Sequence, residues 1–555
     1  MEKVCKAIIK EIIENNLDID KARRKFCREY NPKFFPSYIQ ILTYANNEEY
    51  KKLKHVKTKP TRTLSGVTPI AIMTKPMKCP HGKCTICPGG IGSVFGDIPQ
   101  SYTGKEPATM RAIRNNYDPY LQVFNRLEQY ILLNQTIEKV ELIIMGGTFL
   151  AADKKYQEEF VAYALKAMND FGEMFFMKEF DFVKFKKFFE LPAKLNDKQR
   201  EDKVKQKILN LKGVAKLEKE KKRNEKSFVR CVAMAIETRP DYGMLEHGNE
   251  ALKLGCTRIE VGVQSVFNDV LDKINRGHSV TDTVKSIQIL KDLGFKLTFH
   301  YMIGLPGSNP EKDYEGLTKL FSDERFKPDM LKIYPCSVMP GTKLYDEWKQ
   351  GKYKELDKEE TIKMLAKFKH NVPRYCRISR LMRDIPTKVT SAGVGLTNLR
   401  QEVLKYMAEH GMKCNCIRCS EVGHRSVENL NPKLHVIEYN ASQGKEFFIY
   451  YGDENVIIGY CRLRLPYQFL RKEITEHSAI VRELHVYGEA LRLNEKNDDS
   501  YQHKGVGKML MKKAEEIALK NNKKKVLVIS GIGVKEYYRK LGYKDDGVYV
   551  SKTFS

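Results

Sequence analysis

Three cysteines lie close together in the segment PMKCPHGKCTICPGG, directly after the apolar run TPIAIM. Thiolates on one short loop, here Cys79, Cys84 and Cys87, can hold three irons of a cubane [4Fe-4S] cluster. The fourth iron then lacks a protein ligand and could chelate S-adenosylmethionine (SAM). Electron transfer from the cluster would cleave SAM to a 5′-deoxyadenosyl radical. The competing interpretation is a zinc site completed by His81, but the preceding strand and the glycines after the loop disfavour it.

A second group of cysteines lies in MKCNCIRCSEVGHR. With a fourth ligand, Cys414, Cys416 and Cys419 would form a structural zinc site that holds this segment in place. A second iron–sulfur cluster is the alternative. The spacing does not choose among the candidates for the fourth ligand, which are His424, Cys376 and Cys336.

A phosphate-binding turn is predicted near the C-terminus, in YQHKGVGKMLMKKAEEIALK. Gln502, Gly505 and Gly507 frame a tight turn whose backbone N–H groups point along a helix N-terminus. Free donors and the helix dipole at that place favour a pyrophosphate. The strand IVRELHVYG precedes this loop, and the strand KVLVISG and the segment GVKEYYRKLGYKDDG follow it.

Repeated strand–helix units must position the first cysteine loop. The runs KVELIIMGGTF, VRCVAMAIETRP, CTRIEVGVQS, KLTFHYMIGLPG and MLKIYPCSVMPGT have the pattern of buried parallel strands that end in polar or glycine-rich loops. Such units predict a partial or complete barrel with its chemistry at the carboxyl ends of the strands. The Lys-rich segment KLNDKQREDKVKQKILNLKGVAKLEKEKKRNEK interrupts the pattern, and we expect a mobile insertion or a second basic surface there.

The chain of 555 residues is too long for a single hydrophobic core. The predicted fold class is α/β, a partial (β/α) barrel joined to a smaller α/β domain, with a small helical region at the N-terminus. No apolar run approaches the ~20 residues that span a bilayer, so we expect a cytoplasmic protein with no membrane partner. The predicted divisions are 1–67, helical and basic; 68–375, the barrel; 376–434, a Cys-rich linker; and 435–555, the second domain.

The formal net charge of +27 favours a polyanionic partner, because Lys and Arg placed against phosphates release counterions. A Lys- and Glu-rich thermophile surface is the alternative. Near the N-terminus, aromatic residues interleave with the charges, as in segments that follow a phosphate backbone and stack on bases. A solvated helical face with an aromatic core stripe would give the same pattern. The candidate RNA contacts are Arg23, Arg24, Lys25, Arg28, Lys51, Lys52 and Lys54.

The first cysteine loop resembles the radical SAM superfamily, except that four residues, not three, separate its first two cysteines. The longer spacing, with the following PGG and QSYTGKEPATMRAIRNNYDPY, resembles the Elongator catalytic subunit family. The resemblance continues through MGGTF, ETRPD, EVGVQS, RGH, MIGLPG and KIYP to PGTKLY, almost the whole chain. A strand-end turn is the structural alternative for each glycine pair. The resemblance implies SAM binding by Gly146, Gly147, Thr148, Glu237, Arg239 and Gln264.

The C-terminal segment resembles the closing half of a GNAT acetyltransferase, which implies acetyl-CoA binding. Tyr537 or Tyr538 would lie near the thioester, where a hydroxyl can donate to the carbonyl or the leaving thiol; ring packing is the alternative role. By the same resemblance Glu483 positions groups and is not the base. The implied acetyl-CoA contacts are Lys139, Glu483, Leu484, His485, Val486, Gln502, Gly505, Val506, Gly507, Lys508 and Tyr538.

Ordinary acetyl transfer to an amine needs no radical, so the two modules together suggest radical attack on the acetyl methyl group. The carbon radical would add to C5 of a uridine, and thioester hydrolysis would leave 5-carboxymethyluridine. The resemblance implies an acyltransferase acting on the wobble uridine, position 34, of tRNA, recognised through its anticodon stem-loop. A homodimer and an electron donor are further expected partners. The alternatives are a histone-type lysine acetyltransferase with a structural or sensory cluster, and a non-catalytic tRNA scaffold.

Overall fold

The N-terminal region is a group of short helices packed on the barrel. The structure, a computed structural model, describes residues 1–56, 66–193, 197–424, 430–488 and 505–554. Side-chain caps begin three of the four helices; Ser37 and Gln40, for example, form a reciprocal capping box. The helices are α1 (Glu2–Asn15), α2 (Ile19–Tyr30), α3 (Tyr38–Thr43) and α4 (Asn47–Lys52).

Seven parallel strands form the barrel sheet in the order β1-β4-β5-β6-β7-β8-β9. The predicted strand runs all occur in it. A two-stranded hairpin, β2–β3, follows the first cysteine loop. The last strand lies past residue 375, within the stretch predicted as linker. The strands are β1 (Thr68–Met73), β2 (Gly90–Ser93), β3 (Gly96–Ile98), β4 (Lys139–Met145), β5 (Arg230–Thr238), β6 (Arg258–Gln264), β7 (Lys296–Ile303), β8 (Met330–Pro335) and β9 (Arg377–Arg380).

Helices connect the strands of this sheet, and several of them contact the strands directly. They are α5 (Pro107–Arg114), α6 (Pro119–Leu132), α7 (Lys154–Phe175), α8 (Phe182–Phe188), α9 (Lys198–Lys212), α10 (Leu217–Asn224), α11 (Leu245–Leu254), α12 (Asn268–Lys273), α13 (Val280–Asp292), α14 (Pro310–Ser322), α15 (Lys343–Lys349) and α16 (Lys358–His370). In the linker that follows β9, α17 (Leu399–Glu409) precedes α18 (Ile417–Ser420), and the second cysteine group lies around α18. Among the described residues, no helix is long and apolar enough to cross a membrane.

The Lys-rich segment forms α9 and α10, which pack against α6 and α7. Apolar side chains on one face, such as Ile208 and Leu217, are buried. Arg200 pairs with Glu128 on α6 at 2.5 Å. The prediction of a mobile insertion was therefore wrong, because composition does not show that partner helices supply the matching apolar surface and acidic groups.

The C-terminal domain is a seven-stranded sheet in the order β10-β11-β12-β13-β14-β16-β15. Strands β13 and β14 pair in parallel only over Ser478–Val481. Strand β14 ends at Val528, opposite Val481, whereas β13 continues to Val486, and the last residues of β13 line a cleft. The elements are β10 (Lys433–Ala441), β11 (Gly444–Gly452), β12 (Ile457–Leu465), β13 (Ser478–Val486), α19 (Val506–Lys520), β14 (Lys525–Val528), α20 (Lys535–Lys540), β15 (Lys544–Asp546) and β16 (Tyr549–Thr553).

Buried charges join the C-terminal domain to the barrel. Arg482 on β13 binds Asp329 at the start of β8 and Glu446 on β11. The backbones also meet closely, since a Cβ atom on Gly531 would lie 2.0 Å from the carbonyl oxygen of Val232. Separating a buried charge from its partner is strongly unfavourable, so these contacts fix the two domains against each other.

Candidate functional site

Two cavities lie at opposite ends of the barrel strands. The upper cavity, about 540 Å³, lies at the carboxyl ends and contains the first cysteine loop. The lower cavity, about 670 Å³, lies between the amino ends and the C-terminal domain. Each of the two motif sets therefore has its own cavity: the first cysteine loop lies in the upper one and the predicted phosphate-binding turn in the lower one.

The first cysteine loop enters the upper cavity directly after β1. The imidazole of His81 lies between two of its thiols, 3.1 Å from Sγ of Cys79 and 3.1 Å from Sγ of Cys84. The Cys87 sulfur accepts the backbone N–H of Ser101 at 3.2 Å. Two cysteines are buried and the third is half-buried.

The three sulfurs of this loop fit a cluster better than a single ion. Unlike the second cysteine group, Cys79, Cys84 and Cys87 do not all have their sulfurs within 4.8 Å of one another. Sulfurs bound to one tetrahedral zinc would lie about 3.8 Å apart. A multi-iron cluster spreads its thiolates further apart, so the wider trio and the cavity in front of it suit the iron–sulfur interpretation.

Two arginines place positive charge beside these thiols. Nη1 of Arg239 lies 3.9 Å from the Cys79 sulfur, and Nη1 of Arg276 lies 3.7 Å from the Cys84 sulfur. Asp241 holds the first guanidinium at 2.9 Å. Burial raises the pKa of the Cys79 thiol and Arg239 opposes that rise, because a nearby cation favours the thiolate. Sequence reasoning did not assign Arg276, although it belongs to the RGH segment.

The residues predicted to bind SAM lie together at one side of the upper cavity. The Glu237 carboxylate, at the end of β5, accepts the Tyr102 hydroxyl at 2.9 Å and the Gly146 N–H at 3.3 Å. A Cβ atom on Gly146 would lie 2.0 Å from Oγ1 of Thr74, so only glycine fits. Gln264 has a φ of 63°, a strained value of the kind found at functional sites. The cavity is lined by Gly147, Thr148, Glu237, Arg239 and Gln264.

Sequence reasoning missed a buried polar cluster deeper in the upper cavity. Glu260 on β6 accepts a 2.8 Å hydrogen bond from Nε2 of His300 on β7 and is also paired with Lys332 on β8. Burial lowers the pKa of His300. The signal was present in the sequence, because a charged residue inside each of these apolar runs must point into the barrel.

The lower cavity brings together predicted residues from both domains. Gly505, with a φ of 79°, precedes α19, and no atom of the described residues lies within 4 Å of the place its Cβ would take. Within the same residues no side chain caps this helix, so the N–H groups of its first turn suit an anion. Gln502 lies outside the described residues. The cavity is lined by Lys139, Glu483, Leu484, His485, Val486, Gly505, Val506, Gly507, Lys508, Tyr537 and Tyr538.

Two ionisable groups on β13 differ in their charge at pH 7. Burial alone would raise the pKa of Glu483, but Lys296 and Arg462 hold it at about 2. This carboxylate is therefore a poor base. Burial lowers the pKa of His485 to about 4, so its imidazole is neutral at pH 7. Its Nε2 has no hydrogen-bond partner among the described residues, although the atom is buried.

The two candidate tyrosines lie in different environments. A Cβ atom on Gly507 would lie 2.6 Å from the Tyr537 hydroxyl, so that hydroxyl lies against the phosphate-binding turn. Burial raises the pKa of Tyr537 to about 12. Tyr538 is 6% exposed and packs in the domain core with Tyr543. The geometry thus favours Tyr537 for chemistry and Tyr538 for ring packing.

The sulfurs of Cys414, Cys416 and Cys419 all lie within 4.8 Å of one another, as ligands of one ion would. Nζ of Lys369 is 3.2 Å from the Cys414 sulfur. Of the predicted fourth ligands, Cys336 packs in a separate apolar cluster with Val338. The backbone carbonyl of Cys376 accepts the N–H of Ile417, which puts it beside the trio. The side chain of His424 lies outside the described part of the chain.

Arg23, one of the predicted RNA contacts, is occupied within the fold. Its guanidinium binds the Pro36 carbonyl at 2.9 Å and Asp20 at 2.7 Å. It also stacks on the rings of Phe35 and Tyr38. This residue stabilises the turn between α2 and α3, so its role in the fold is clear.

The other predicted RNA contacts lie near the surface. Lys25 is exposed, with an ion pair to Glu11 at 2.8 Å, and Lys51 is half-buried and pairs with two glutamates. Phe34 is 66% exposed, and Nζ of Lys33 lies 5.7 Å from the centroid of its ring. A cationic and aromatic surface of this kind can contact phosphates and stack on bases. The exposed basic residues here also include Arg24, Arg28, Lys52 and Lys54.

The chain matches known families over most of its length. Residues 1–64 match the ELP3 N-terminal domain and residues 207–317 the Radical SAM superfamily. Residues 328–409 match the Radical SAM C-terminal domain and residues 401–543 the acetyltransferase (GNAT) family. These matches agree with the predicted fold class and with the two cavities.

Similar proteins extend over nearly the whole chain. The tRNA uridine(34) acetyltransferase of Methanocaldococcus jannaschii is 46% identical over 93% of this chain and 90% of its own. Elongator complex protein 3 of Homo sapiens is 36% identical over 98% of this chain and 96% of its own. The solved structure of Methanocaldococcus infernus Elp3 with an N-terminal deletion is 40% identical, with a TM-score of 0.72 over 89% of this chain and 100% of that one.

Proposed function

The chain belongs to the Elongator complex protein 3 family, and from this premise we propose that it is an acyltransferase that makes 5-carboxymethyluridine at the wobble uridine of tRNA, with SAM and acetyl-CoA as co-substrates. The observation that carries this proposal is the pair of cavities at the two ends of one barrel. An ordinary acetyltransferase would need only the lower one.

In the upper cavity, Cys79, Cys84 and Cys87 would hold the [4Fe-4S] cluster, which with bound SAM would supply a 5′-deoxyadenosyl radical. Glu237, held by the Tyr102 hydroxyl, would pair with the ammonium group of SAM. The SAM contacts transferred from the resemblance would complete the site, namely Gly146, Gly147, Thr148, Arg239 and Gln264.

In the lower cavity, the first turn of α19 would hold the pyrophosphate of acetyl-CoA through its free N–H groups. Leu484, His485 and Val486 of β13, which line this cavity, would contact the pantetheine arm. His485 is neutral at pH 7, and its buried Nε2 has no hydrogen-bond partner among the described residues, so it could take a proton from a water that enters to hydrolyse the thioester. The Tyr537 hydroxyl would donate its proton to the leaving thiolate.

The exposed basic and aromatic residues on α2, at the end of α4 and directly after these helices would bind the tRNA backbone, and the target uridine would enter the upper cavity. The cationic residues for this role are Arg24, Lys25, Arg28, Lys52 and Lys54. We also propose that Cys414, Cys416 and Cys419 hold a structural zinc ion, since three close sulfurs suit one ion. A homodimer stays a prediction, and an electron donor is required by the chemistry.

An anaerobic assay tests the proposed function. Reconstituted protein would be incubated with SAM, acetyl-CoA, a chemical reductant and a tRNA transcript, and the nucleosides would be analysed by mass spectrometry. We expect carboxymethyluridine at position 34, abolished by Cys84→Ser. Acetyl-lysine on a histone substrate, unchanged by Cys84→Ser and without any modified uridine, would instead establish a lysine acetyltransferase.

A further inference from the structure

A single layer of side chains separates the upper and lower cavities. Along three strands, the last residue that lines the lower cavity and the first that lines the upper one are two positions apart. Two residues of a strand span about 6.6 Å. The barrel lumen is therefore one space with a thin partition. The paired positions are Glu141 and Ile143 on β4, Arg258 and Glu260 on β6, and Met330 and Lys332 on β8.

The partition is charged. Nη2 of Arg258 lies 3.1 Å from the Glu141 carboxylate and 3.2 Å from the Glu260 carboxylate. Glu260 is also bound by Lys332 and by His300. We call Glu141, Arg258, Glu260 and Lys332 the charged layer. Barrel interiors are usually filled with branched apolar side chains, and buried ion pairs are rarely more stable than an apolar replacement. Stability alone therefore does not account for the charged layer.

Polar atoms at the partition lack partners. Within the described residues, Nε of Arg258 and Oγ1 of Thr298 are buried and have no hydrogen bond. Thr298 lies on β7 between Lys296, which lines the lower cavity, and His300, which lines the upper one. An unmet buried donor costs about 1–3 kcal/mol. Both donors could be satisfied by a carbonyl oxygen that enters the lumen.

A hinge motion of the domains would be a costly route between the cavities. The ion pair of Arg482 with Asp329 is buried on both sides. Gly531 packs against the backbone of Val232 so closely that no Cβ atom would fit. Moving the domains apart would expose these contacts and leave charges unpaired, whereas the partition in the lumen is only one layer thick.

We propose that the acetyl group of acetyl-CoA enters the upper cavity through the barrel lumen, and that Arg258 and Thr298 donate hydrogen bonds to its carbonyl oxygen as it passes the charged layer. This inference rests on the proposed function, because it requires acetyl-CoA in the lower cavity. It requires neither the radical nor tRNA, so the two can be tested separately.

Bromoacetyl-CoA provides the test, because its reactive carbon replaces the acetyl methyl group. A thiolate displaces bromide from that carbon and forms a carbon–sulfur bond. Two variants of the full-length holoprotein would each carry a new cysteine, Met330→Cys below the layer and His300→Cys above it. We expect an adduct at both positions by peptide mass spectrometry, each suppressed at least tenfold by excess CoA.

Variants of Thr298 show whether the reagent passes the layer. Combined with His300→Cys, Thr298→Leu should lower the labelling rate at position 300 at least tenfold, because a larger side chain fills the lumen. Combined with Met330→Cys, it should leave position 330 reactive, which also shows that the variant is folded. Thr298→Val has the same size as threonine but lacks the hydroxyl, so position 300 should still react, about 2- to 5-fold more slowly because one hydrogen bond to the carbonyl oxygen is lost.

Three results would overturn the proposal. Labelling at position 330 without labelling at position 300 would mean that the layer stays closed. Labelling at position 300 that resists both excess CoA and Thr298→Leu would mean that the reagent enters from the solvent side. If neither position reacts, the lower cavity does not bind acetyl-CoA, and the proposed function fails together with this inference.

Discussion

Nη1 and Nη2 of Arg482 bind the two carboxylate oxygens of Asp329 at 2.7 and 2.8 Å. The first residue lies on β13 of the acetyltransferase domain and the second at the start of barrel strand β8. The pair is fully buried, and it fixes the floor of the lower cavity relative to the phosphate-binding turn.

Arg482→Met should lower the free energy of unfolding by about 3–5 kcal/mol, because it removes the guanidinium that binds two buried carboxylates, Asp329 and Glu446. Denaturant unfolding followed by circular dichroism would measure this loss. Arg325→Met is the matched control, since that arginine is exposed and pairs with Asp323 on the surface; its effect should stay within about 1 kcal/mol. Equal effects of the two changes would contradict the role given to the interface.

Tyr102→Phe should weaken SAM binding about tenfold or more, because the hydroxyl that orients the Glu237 carboxylate is lost and hydrogen bonds to charged groups contribute about 1.5–3 kcal/mol. Equilibrium binding of SAM to the cluster-loaded protein would measure it. Tyr117→Phe is the control, because the Tyr117 hydroxyl is buried without a hydrogen-bond partner among the described residues. The role of Tyr102 would be refuted by unchanged SAM affinity.

His485→Gln should slow acetyl-CoA hydrolysis about 10²-fold, as expected for loss of a general base. The exposed His477→Gln should have no such effect. Because the pKa of His485 is lowered to about 4, the rate should stay flat from pH 7 down to about 5 and fall near pH 4. A profile that falls near pH 6.5 would show that His485 is not the base.

The titration of His485 also makes the free energy of unfolding depend on pH. The folded-state pKa of His485 lies below the value of 6.5 that it has when exposed. The unfolded chain therefore binds the proton first, and stability is lost as the pH falls from about 6.5 to 4. His485→Gln should reduce this loss, measured as the difference in unfolding midpoint between pH 7 and pH 5. An identical pH dependence in the variant would show that other groups cause it.

Gly507→Ala should raise the KM for acetyl-CoA roughly tenfold, because the new Cβ atom would lie 2.6 Å from the Tyr537 hydroxyl and overpacking costs about 1–3 kcal/mol. Steady-state hydrolysis would measure it. Adding Tyr537→Phe removes the clashing oxygen and should recover most of the affinity, with Tyr537→Phe alone as the control. A double variant as weak as Gly507→Ala would place the cause elsewhere in the turn.

Arg28→Ala should weaken tRNA binding. The slope of the logarithm of affinity against the logarithm of salt concentration should become about one unit less steep, as expected for one lost phosphate contact. Filter binding over a salt series would measure this. Arg23→Ala should instead lower stability, because that guanidinium is bound to Asp20 and Pro36. If both variants keep the wild-type slope, α2 is not part of the RNA surface.

The sequence by itself determined the features that depend on neighbouring residues. The spacing of Cys79, Cys84 and Cys87 places three thiols on one loop, and the apolar runs specify parallel strands because their period and length are local properties. The turn at Gly505 and Gly507 also follows from local backbone chemistry. Candidate residues for the chemistry could thus be named as single positions.

Only the tertiary structure decided how distant residues act together. Glu260, His300 and Lys332 are on three strands, and their pairing depends on register and on which side chains face the lumen. The low pKa of His485 exists only because the folded chain removes water from it. Packing also separated Tyr537 from its neighbour Tyr538. The burial of a side chain and the charges around it depend on groups that the whole fold brings together, so composition and spacing could not predict these pairings and pKa values.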